Sequence, residues 1–469
     1  MTNRPVRAHP YMPNSNRAAH DELMSETGVK SMESLFQQIP ADHRISAPID
    51  LPPALTSEVS LSRHMHEILS KNVSCEDAVS FLGGGCWRHY VPAVCEEVMG
   101  RSEFLTSVWG TPSSDVGRNQ AWFEFQSQLG ELLALDMVGL PVYSWGCAAG
   151  HAIRMASRMT ERFEVLIPRY MSPERRSVIE NYCEPEEMPS AIRVVEFGVD
   201  PETGCADLAD IKDKLSDRTA AIYLENPGFL GVIEQNAAAI GDLAHQAGAE
   251  LIVGVDPVSL GVLASPSDYG ADIVVGSIQP LGIRMYCGGG LGGFIASRDE
   301  ERYAREYPTL MISIAETERE GEVAFGNSLF AQCSYGSREE GKDWTGNSVY
   351  LWAIGSAVYM SLLGPEGFRE LGETILQRAH YCAAQLAEIP GIEVSHSRWF
   401  KEFTVNFDGT GKSVSAINEG LRRQGIFGGL DLSNAFPELG QSALYCVTEM
   451  HAEDDIQHLT DALKEVCAQ

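Results

Sequence analysis

At 469 residues the chain is longer than a single typical core, so a large domain and a smaller one are expected. Its 65 acidic against 35 basic side chains give a formal net charge of -30, a field that repels nucleic acid and anionic membrane surfaces and suits a basic protein partner. The 44% hydrophobic and 21% charged content is that of an ordinary globular enzyme, and 11 scattered cysteines with no C-x-x-C pair argue against a zinc site or a disulfide framework. Reduced thiols and a cytoplasmic location are the matching expectation, since the first 30 residues carry no apolar core of a secretory signal.

Residues 1–75 read as an N-terminal helical arm. The stretch "DELMSETGVKSMESLFQQI" (21–39) has apolar spacings of three and four before Pro48, Pro52 and Pro53 interrupt it. A large α/β domain is expected over 76–345. Its strands are predicted at "EVLIP" (164–168), "AIRVVEF" (191–197), "AAIYLEN" (220–226), "ELIVGVD" (250–256), "DIVVG" (272–276) and "GGFIA" (292–296), with helical patterns such as "QNAAAIGDLAHQAG" (235–248) between them. Continuous apolar strands alternating with helices predict a mainly parallel sheet covered on both faces, with its ligand-binding loops along the strand C-termini.

"VYLWAIGSAVYMSLLG" (349–364) reads as a buried helix that stops at Pro365, too short for a bilayer. A second helix (368–389), strands near 392–396, 403–407 and 443–447, and helices at 413–424 and 452–466 predict an α+β C-terminal domain over 346–469.

Two long stretches carry a family likeness: "HPYMPNSNRAAHDELMSETGVKSMESLFQQIP" (9–40) and "FLGGGCWRHYVPAVCEEVMGRSEFLTS" (81–107). Together with "LENPGFLGVIE" (224–234), "VDPVSLGVLASPSDYGADIVVG" (255–276), "QPLGIRMYCGGGLGGFIA" (279–296) and "VYMSLLGPEGFRELGE" (358–373), the chain resembles glycine decarboxylase P-protein, subunit 1 of the two-subunit form. The resemblance implies a pyridoxal phosphate (PLP)-dependent transferase-like fold of the aminotransferase type (fold type I).

In that family the cofactor sits on a lysine of subunit 2, and subunit 1 is the cofactor-free sister that completes the site from across an interface. The run Ile252–Arg298 holds no lysine, and Gln279-Pro280-Leu281 stand at the turn where such a lysine would lie. The implied partners are a PLP-bearing subunit 2, in a heterodimer or an α2β2 heterotetramer, and a lipoylated H-protein whose lipoyl group accepts the aminomethyl group from a small amino-acid substrate.

Each candidate residue has a plain reading beside the functional one. Asp256 ends a buried strand where this fold places the carboxylate that faces the cofactor's ring nitrogen, but without a lysine, capping of the turn before Pro257 is preferred. "SWGCAAGHA" (144–152) occupies the place of the phosphate loop, yet Trp145 and Cys147 replace the family's small residue and hydroxyl, so a vestigial loop filled by side chains is expected.

"GGGCWRHYVP" (83–92) matches neither a P-loop nor a dinucleotide fingerprint. By resemblance it faces the partner's cofactor, which makes Arg88, His89 and Tyr90 pocket or interface candidates, with an ordinary hydrogen-bonded His89 as the alternative. The loop 107–120 departs from the family and offers Trp109, Asp115 and Arg118; the segment 338–347 departs likewise, with Glu340 at the family's lysine position and Lys342 beside it. No catalytic residue of this chain and no metal site are expected.

Three functions stay open on the sequence: a glycine-decarboxylating subunit, a diverged paralogue working with a PLP-bearing sister on another amino acid, and a non-catalytic stabilising or regulatory partner. The altered loops motivate the second.

Overall fold

The computed structural model describes residues 11–468 except 13, 14, 46, 48, 106–111, 185–187, 289, 290, 329–331, 333, 344, 346–348 and 397, and omits the side chains of 112–116, 288, 334 and 335. The chain forms two compact units, Met1–Asn72 and Val73–Gln469. In the first, helices α1 (Arg17–Glu26) and α2 (Glu58–Leu69) contain no buried residue, and Asn16 caps α1 by accepting from the Ala18 N–H at 2.9 Å.

The second unit is built on a seven-stranded sheet. In chain order its elements are α3 (Pro112–Leu133), β1 (Met137–Val138), α4 (Trp145–Thr160), β2 (Glu164–Pro168), α5 (Pro173–Cys183), β3 (Arg193–Phe197), α6 (Leu208–Lys214), β4 (Thr219–Glu225), α7 (Ala237–Ala247), β5 (Glu250–Val255), β6 (Ile273–Ser277) and β7 (Gly293–Ser297). The strand order is β1-β7-β6-β5-β4-β2-β3, with β3, β2, β4, β5 and β6 parallel and β7 antiparallel to both β6 and β1.

Side chains alternate across the pleat. Leu251, Val253 and Val255 join one core with Trp122 and Phe125, while Ile252 joins the other with Tyr223 and Ala149. Both faces being covered explains why the strands read as unbroken apolar runs. The expected strands at 164–168, 220–226, 250–256, 272–276 and 292–296 lie within a residue or two of those found; β3 starts two residues later than expected.

The C-terminal part belongs to the same compact unit as the large sheet. It begins with α8 (Tyr350–Ala387), followed by β8 (Glu393–Val394), β9 (Glu402–Asn406), α9 (Val414–Arg422), β10 (Leu430–Asp431), β11 (Ser442–Cys446) and α10 (Glu453–Ala468). Its antiparallel sheet runs β8-β9-β11-β10 around a separate core that includes Phe403, Phe407 and Tyr445.

The helix stop expected at Pro365 is a break within one long run: Gly364 takes φ 59° and ψ -178°, a backbone region open essentially to glycine alone, and the helix resumes through Pro365. No described helix is long and apolar enough to cross a membrane.

His151, on α4, is buried with its Nε2 2.9 Å from Thr345 Oγ1 and 3.2 Å from the Tyr182 hydroxyl. Burial, against the opposing pull of Asp343, brings this imidazole down to about 4. The unfolded chain therefore binds a proton below about 6.5 that the native state refuses until about 4. His151 thus contributes stability that is complete at neutral pH and is lost as pH falls from about 6.5 to about 4. Urea midpoints measured across that window should fall with pH, and His151→Gln should flatten the slope; an unchanged slope would remove His151 as its source.

Candidate functional site

Asp256 follows β5 at the C-terminal edge of the sheet and caps the turn Pro257–Gly261, its Oδ1 accepting from the Val258 N–H at 3.2 Å. The expected capping role is there, and it is not the whole role. Asp256 Oδ2 lies 2.7 Å from the Nζ of Lys401, and the two side chains are only 6% and 3% exposed. Lys401 immediately precedes β9, so one charge comes from each sheet. Its ammonium also lies 3.5 Å from the centroid of the Trp87 ring, a cation–π contact that is strong where water is absent.

The network continues into the glycine-rich segment. Lys401 Nζ is 3.0 Å from His89 Nε2; His89 Nδ1 is 2.9 Å from Glu449 Oε2, and the Tyr90 N–H donates to Glu449 Oε1 at 2.7 Å. A contact between two nitrogens needs one donor and one acceptor, so a single hydrogen bond joins His89 to Lys401, with Glu449 on the far side of the imidazole and Asp256 on the far side of the ammonium. Burial works against the Glu449 carboxylate, but the charge and hydrogen bond of His89 and the Tyr90 N–H outweigh it and hold the carboxyl at about 2.

The turn after β6 is closed by an amide in place of an amine. Gln279 is 1% exposed and its side chain is fully engaged: Nε2 donates to Trp87 O at 2.9 Å and Ile283 O at 3.1 Å, and Oε1 accepts from the Trp87 N–H at 3.2 Å. These bonds fasten residue 87 of the glycine-rich segment to the sheet edge.

In front of them, the indole of Trp145 donates to the Tyr223 hydroxyl at 3.1 Å and meets Trp87 edge-on at 6.3 Å. The guanidinium of Arg175 lies 4.2 Å over Trp145 and is held by Glu225 through bonds of 2.8 and 2.9 Å. The Trp145 ring thus packs the start of α4 on one side, while Ser144, Trp145 and Gly146 line an open cleft of about 540 Å³ on the other.

Pyridoxal phosphate does not fit this site. The space enclosed by Trp87, Trp145, Asp256 and Lys401 is about 20 Å³, room for one water at most, whereas small-molecule pockets run to about 300 Å³ or more. The carboxylate that would face a ring nitrogen is already neutralised, and no lysine stands on the strand or turn.

The expected candidates are dispersed. Arg88 is half-buried; its backbone carbonyl accepts from Thr448 Oγ1 at 2.7 Å, and its guanidinium has no partner among the described residues. Tyr90 is exposed. Arg118 is buried on α3, its guanidinium 5.1 Å from the Trp122 ring. Trp109 lies outside the described residues, as does the side chain of Asp115 on α3.

Glu340 is exposed in the short turn Arg338–Glu340, and Lys342 pairs with Glu306 and donates to Arg305 O at 3.2 Å. Cys147 sits in the first turn of α4, where its N–H donates to the Ser144 hydroxyl at 3.2 Å. Among the described residues no group of three or more His, Cys, Asp or Glu could hold a metal ion.

Lys401, Glu402, Arg175, Glu225 and Glu449 carry the network yet are absent from the expected set. The signal for two of them was present: Lys401-Glu402 interrupts the aromatic stretch "WFKEF" (399–403), and charges set between core aromatics have to be paired. Glu402 is indeed buried; burial raises its carboxyl, against the pull of the Gly84 N–H, which donates to it at 2.6 Å. Removing one member of a buried pair leaves an uncompensated charge, so Lys401→Met should cost about 3–5 kcal/mol. Asp256→Asn added to it should recover part of that loss. Additive losses in a denaturation double-mutant cycle would mean that the two side chains are not energetically coupled.

Comparison with known proteins shows the family and the fold. The family described as glycine cleavage system P-protein matches residues 9–463. A probable glycine dehydrogenase (decarboxylating) subunit 1 of Staphylothermus marinus is 36% identical over 468 residues, covering 98% of each chain. Its counterpart in Pyrococcus furiosus is 36% identical over 461 residues, covering 97% of this chain and 99% of that one. A crystal structure of glycine decarboxylase (P-protein) of the glycine cleavage system, in inhibitor-bound form, superposes with a TM-score of 0.86 at 31% identity, over 98% of this chain and 100% of that one.

A sphingosine-1-phosphate lyase of Burkholderia pseudomallei shares the fold alone, at a TM-score of 0.64 and 16% identity over 92% of this chain and 95% of that one. The fold is that of the PLP-dependent transferases, fold type I. Matched from end to end by relatives of its own length, the chain belongs to the glycine cleavage system P-protein family.

Proposed function

We propose that this chain is the subunit of a two-part glycine decarboxylase that does not anchor the cofactor. It would act with a lysine-bearing subunit 2 that holds pyridoxal phosphate, and the pair would decarboxylate glycine and pass the aminomethyl group to the lipoyl arm of an H-protein. The observation that carries this reading is the filled sheet edge: Gln279 at the lysine's turn, bonded on three sides, and Asp256 closed by Lys401. A chain meant to bind its own cofactor would have to open both.

What this chain supplies in that reading is shape and position. The segment 83–92 is pinned by Gln279 through Trp87 and by Glu449 through His89 and Tyr90, so the exposed Tyr90 and the half-buried Arg88, whose guanidinium has no partner among the described residues, stand on a fixed backbone. Groups held in place before substrate arrives lose little freedom on binding it, which is how a wall built by one subunit speeds chemistry carried by another. Near-full-length likeness to chains named as subunit 1 favours glycine over another amino acid as substrate and favours a catalytic complex over a purely stabilising role.

Two measurements test this. Incubated alone with pyridoxal phosphate and reduced with borohydride, the chain should take up no stoichiometric cofactor on a lysine. Recombined with its lysine-bearing partner, it should support exchange of the glycine carboxyl with bicarbonate, and Arg88→Ala should lower that exchange at least tenfold while the complex still forms. Equal exchange by the partner alone would overturn the proposal.

A further inference from the structure

The N-terminal unit keeps its apolar side chains in water. None of the described residues between 11 and 72 is buried. Of the 29 exposed large apolar side chains described, 16 lie in this stretch, which is less than a sixth of the chain. Such a concentration marks a surface that another molecule covers. At roughly half exposure these side chains present on the order of 1,000 Å² of apolar surface, comparable with the about 800 Å² that each side of a standard protein interface buries.

Helix α2 gives this surface a shape. At about 3.6 residues per turn, Leu61, Met65, Ile68 and Leu69 fall in one stripe, while Arg63 and Glu67 turn the other way. The four apolar residues are 45, 43, 45 and 55% exposed. A stripe of this kind belongs against a core. The helix has 12 residues, no side-chain bond at its N-cap Ser57 and no buried residue, and a helix of that length is marginal in water on propensity alone. Both facts call for an apolar groove that closes over the stripe.

Charge selects what supplies the groove. Residues 1–72 hold 8 acidic and 7 basic side chains, so nearly all of the net charge of -30 lies on the rest of the chain. A second copy would bring an equally acidic body, and like charges of that size oppose its approach. A helix that lies on a membrane has a polar face rich in Lys and Arg, whereas α2 sets one Arg63 against Glu58 and Glu67. A near-neutral apolar arm suits a different protein, one less acidic than the body that carries the arm. The arm also runs, through residues 73–82, into the glycine-rich segment that the reading above turns toward the partner.

We propose that residues 11–72 are the docking arm for the lysine-bearing subunit 2, with the Leu61, Met65, Ile68 and Leu69 stripe of α2 seated in an apolar groove of that subunit. This rests on the two-subunit reading and names the surface that holds its partner. The arm carries affinity and no chemistry. It keeps the segment 83–92 at high effective concentration beside the partner, so a weakened grip lowers the amount of complex and leaves turnover within the complex unchanged.

Titrating the full-length chain with its lysine-bearing partner, by calorimetry and by exchange of the glycine carboxyl with bicarbonate, tests it. The double variant Leu61→Gln with Ile68→Gln changes exposed side chains only and should melt at the wild-type temperature. It should bind the partner at least tenfold more weakly, and its exchange should climb back to the wild-type maximum once the partner is saturating. Arg63→Gln, on the opposite face of α2, should change neither quantity. Equal affinity of the double variant and the wild type would overturn the docking arm and leave the two-subunit reading standing; a wild-type chain that binds no partner would overturn that reading itself. Self-association of the chain alone that the double variant abolishes would assign the stripe to a second copy, and the proposal would fall.

Discussion

An aspartate and a lysine, 2.7 Å apart and nearly out of reach of water, decide what this half of the fold can hold. Desolvating both costs several kcal/mol per ion, and the attraction between them repays it only with good geometry and further hydrogen bonds. Here the second condition is met by neighbours: Val258 donates to the aspartate, and the lysine has the Trp87 ring and His89. An apolar pair of similar volume would fill the space with equal or greater stability. What such a pair would lack is direction. Asp256 belongs to the large sheet, Lys401 to the start of β9 and His89 to the glycine-rich segment, so the charges specify how three separate pieces of backbone meet.

That constraint explains several residues that look unrelated in the sequence. Gln279 is useful only if Trp87 is brought beside it, and Trp87 is brought there by the same segment that carries His89. Gly83 and Gly84 lie where Glu402 reaches across to the Gly84 N–H, and a Cβ at Gly83 would overlap the Glu402 carboxylate. The aromatic filling of the cofactor's place follows too. Trp145 can lie flat beneath Arg175 because no phosphate has to enter the first turn of α4 at that point.

The sheet was legible because its information is local and repeated. Runs such as "ELIVGVD" carry apolar residues on both faces of the pleat, and a buried parallel strand is nearly the only structure that wants them. The missing lysine was legible as well, since an absence along a continuous turn needs no partner to interpret. The pairing of Asp256 with Lys401 was not, because 145 positions separate them and no periodicity links a strand end in one sheet to a strand start in another.

The same holds for His89 and Glu449: the histidine could be read as an ordinary hydrogen-bonded one, and the glutamate could not be found. The helix end before Pro365 was legible too: Gly364 leaves helical backbone there, and the halves of α8 on either side of it pack into separate cores.

The molecule therefore divides its sheet edge into a sealed part and an open one, and the boundary runs through Arg175. On one side the guanidinium covers Trp145 and meets Glu225, whose other hydrogen bond comes from the Tyr223 hydroxyl at 2.8 Å. The charged groups there are paired with one another, and the space is closed to about 20 Å³. On the other side the same residue, with Trp145 and Phe229, borders the open cleft of about 540 Å³.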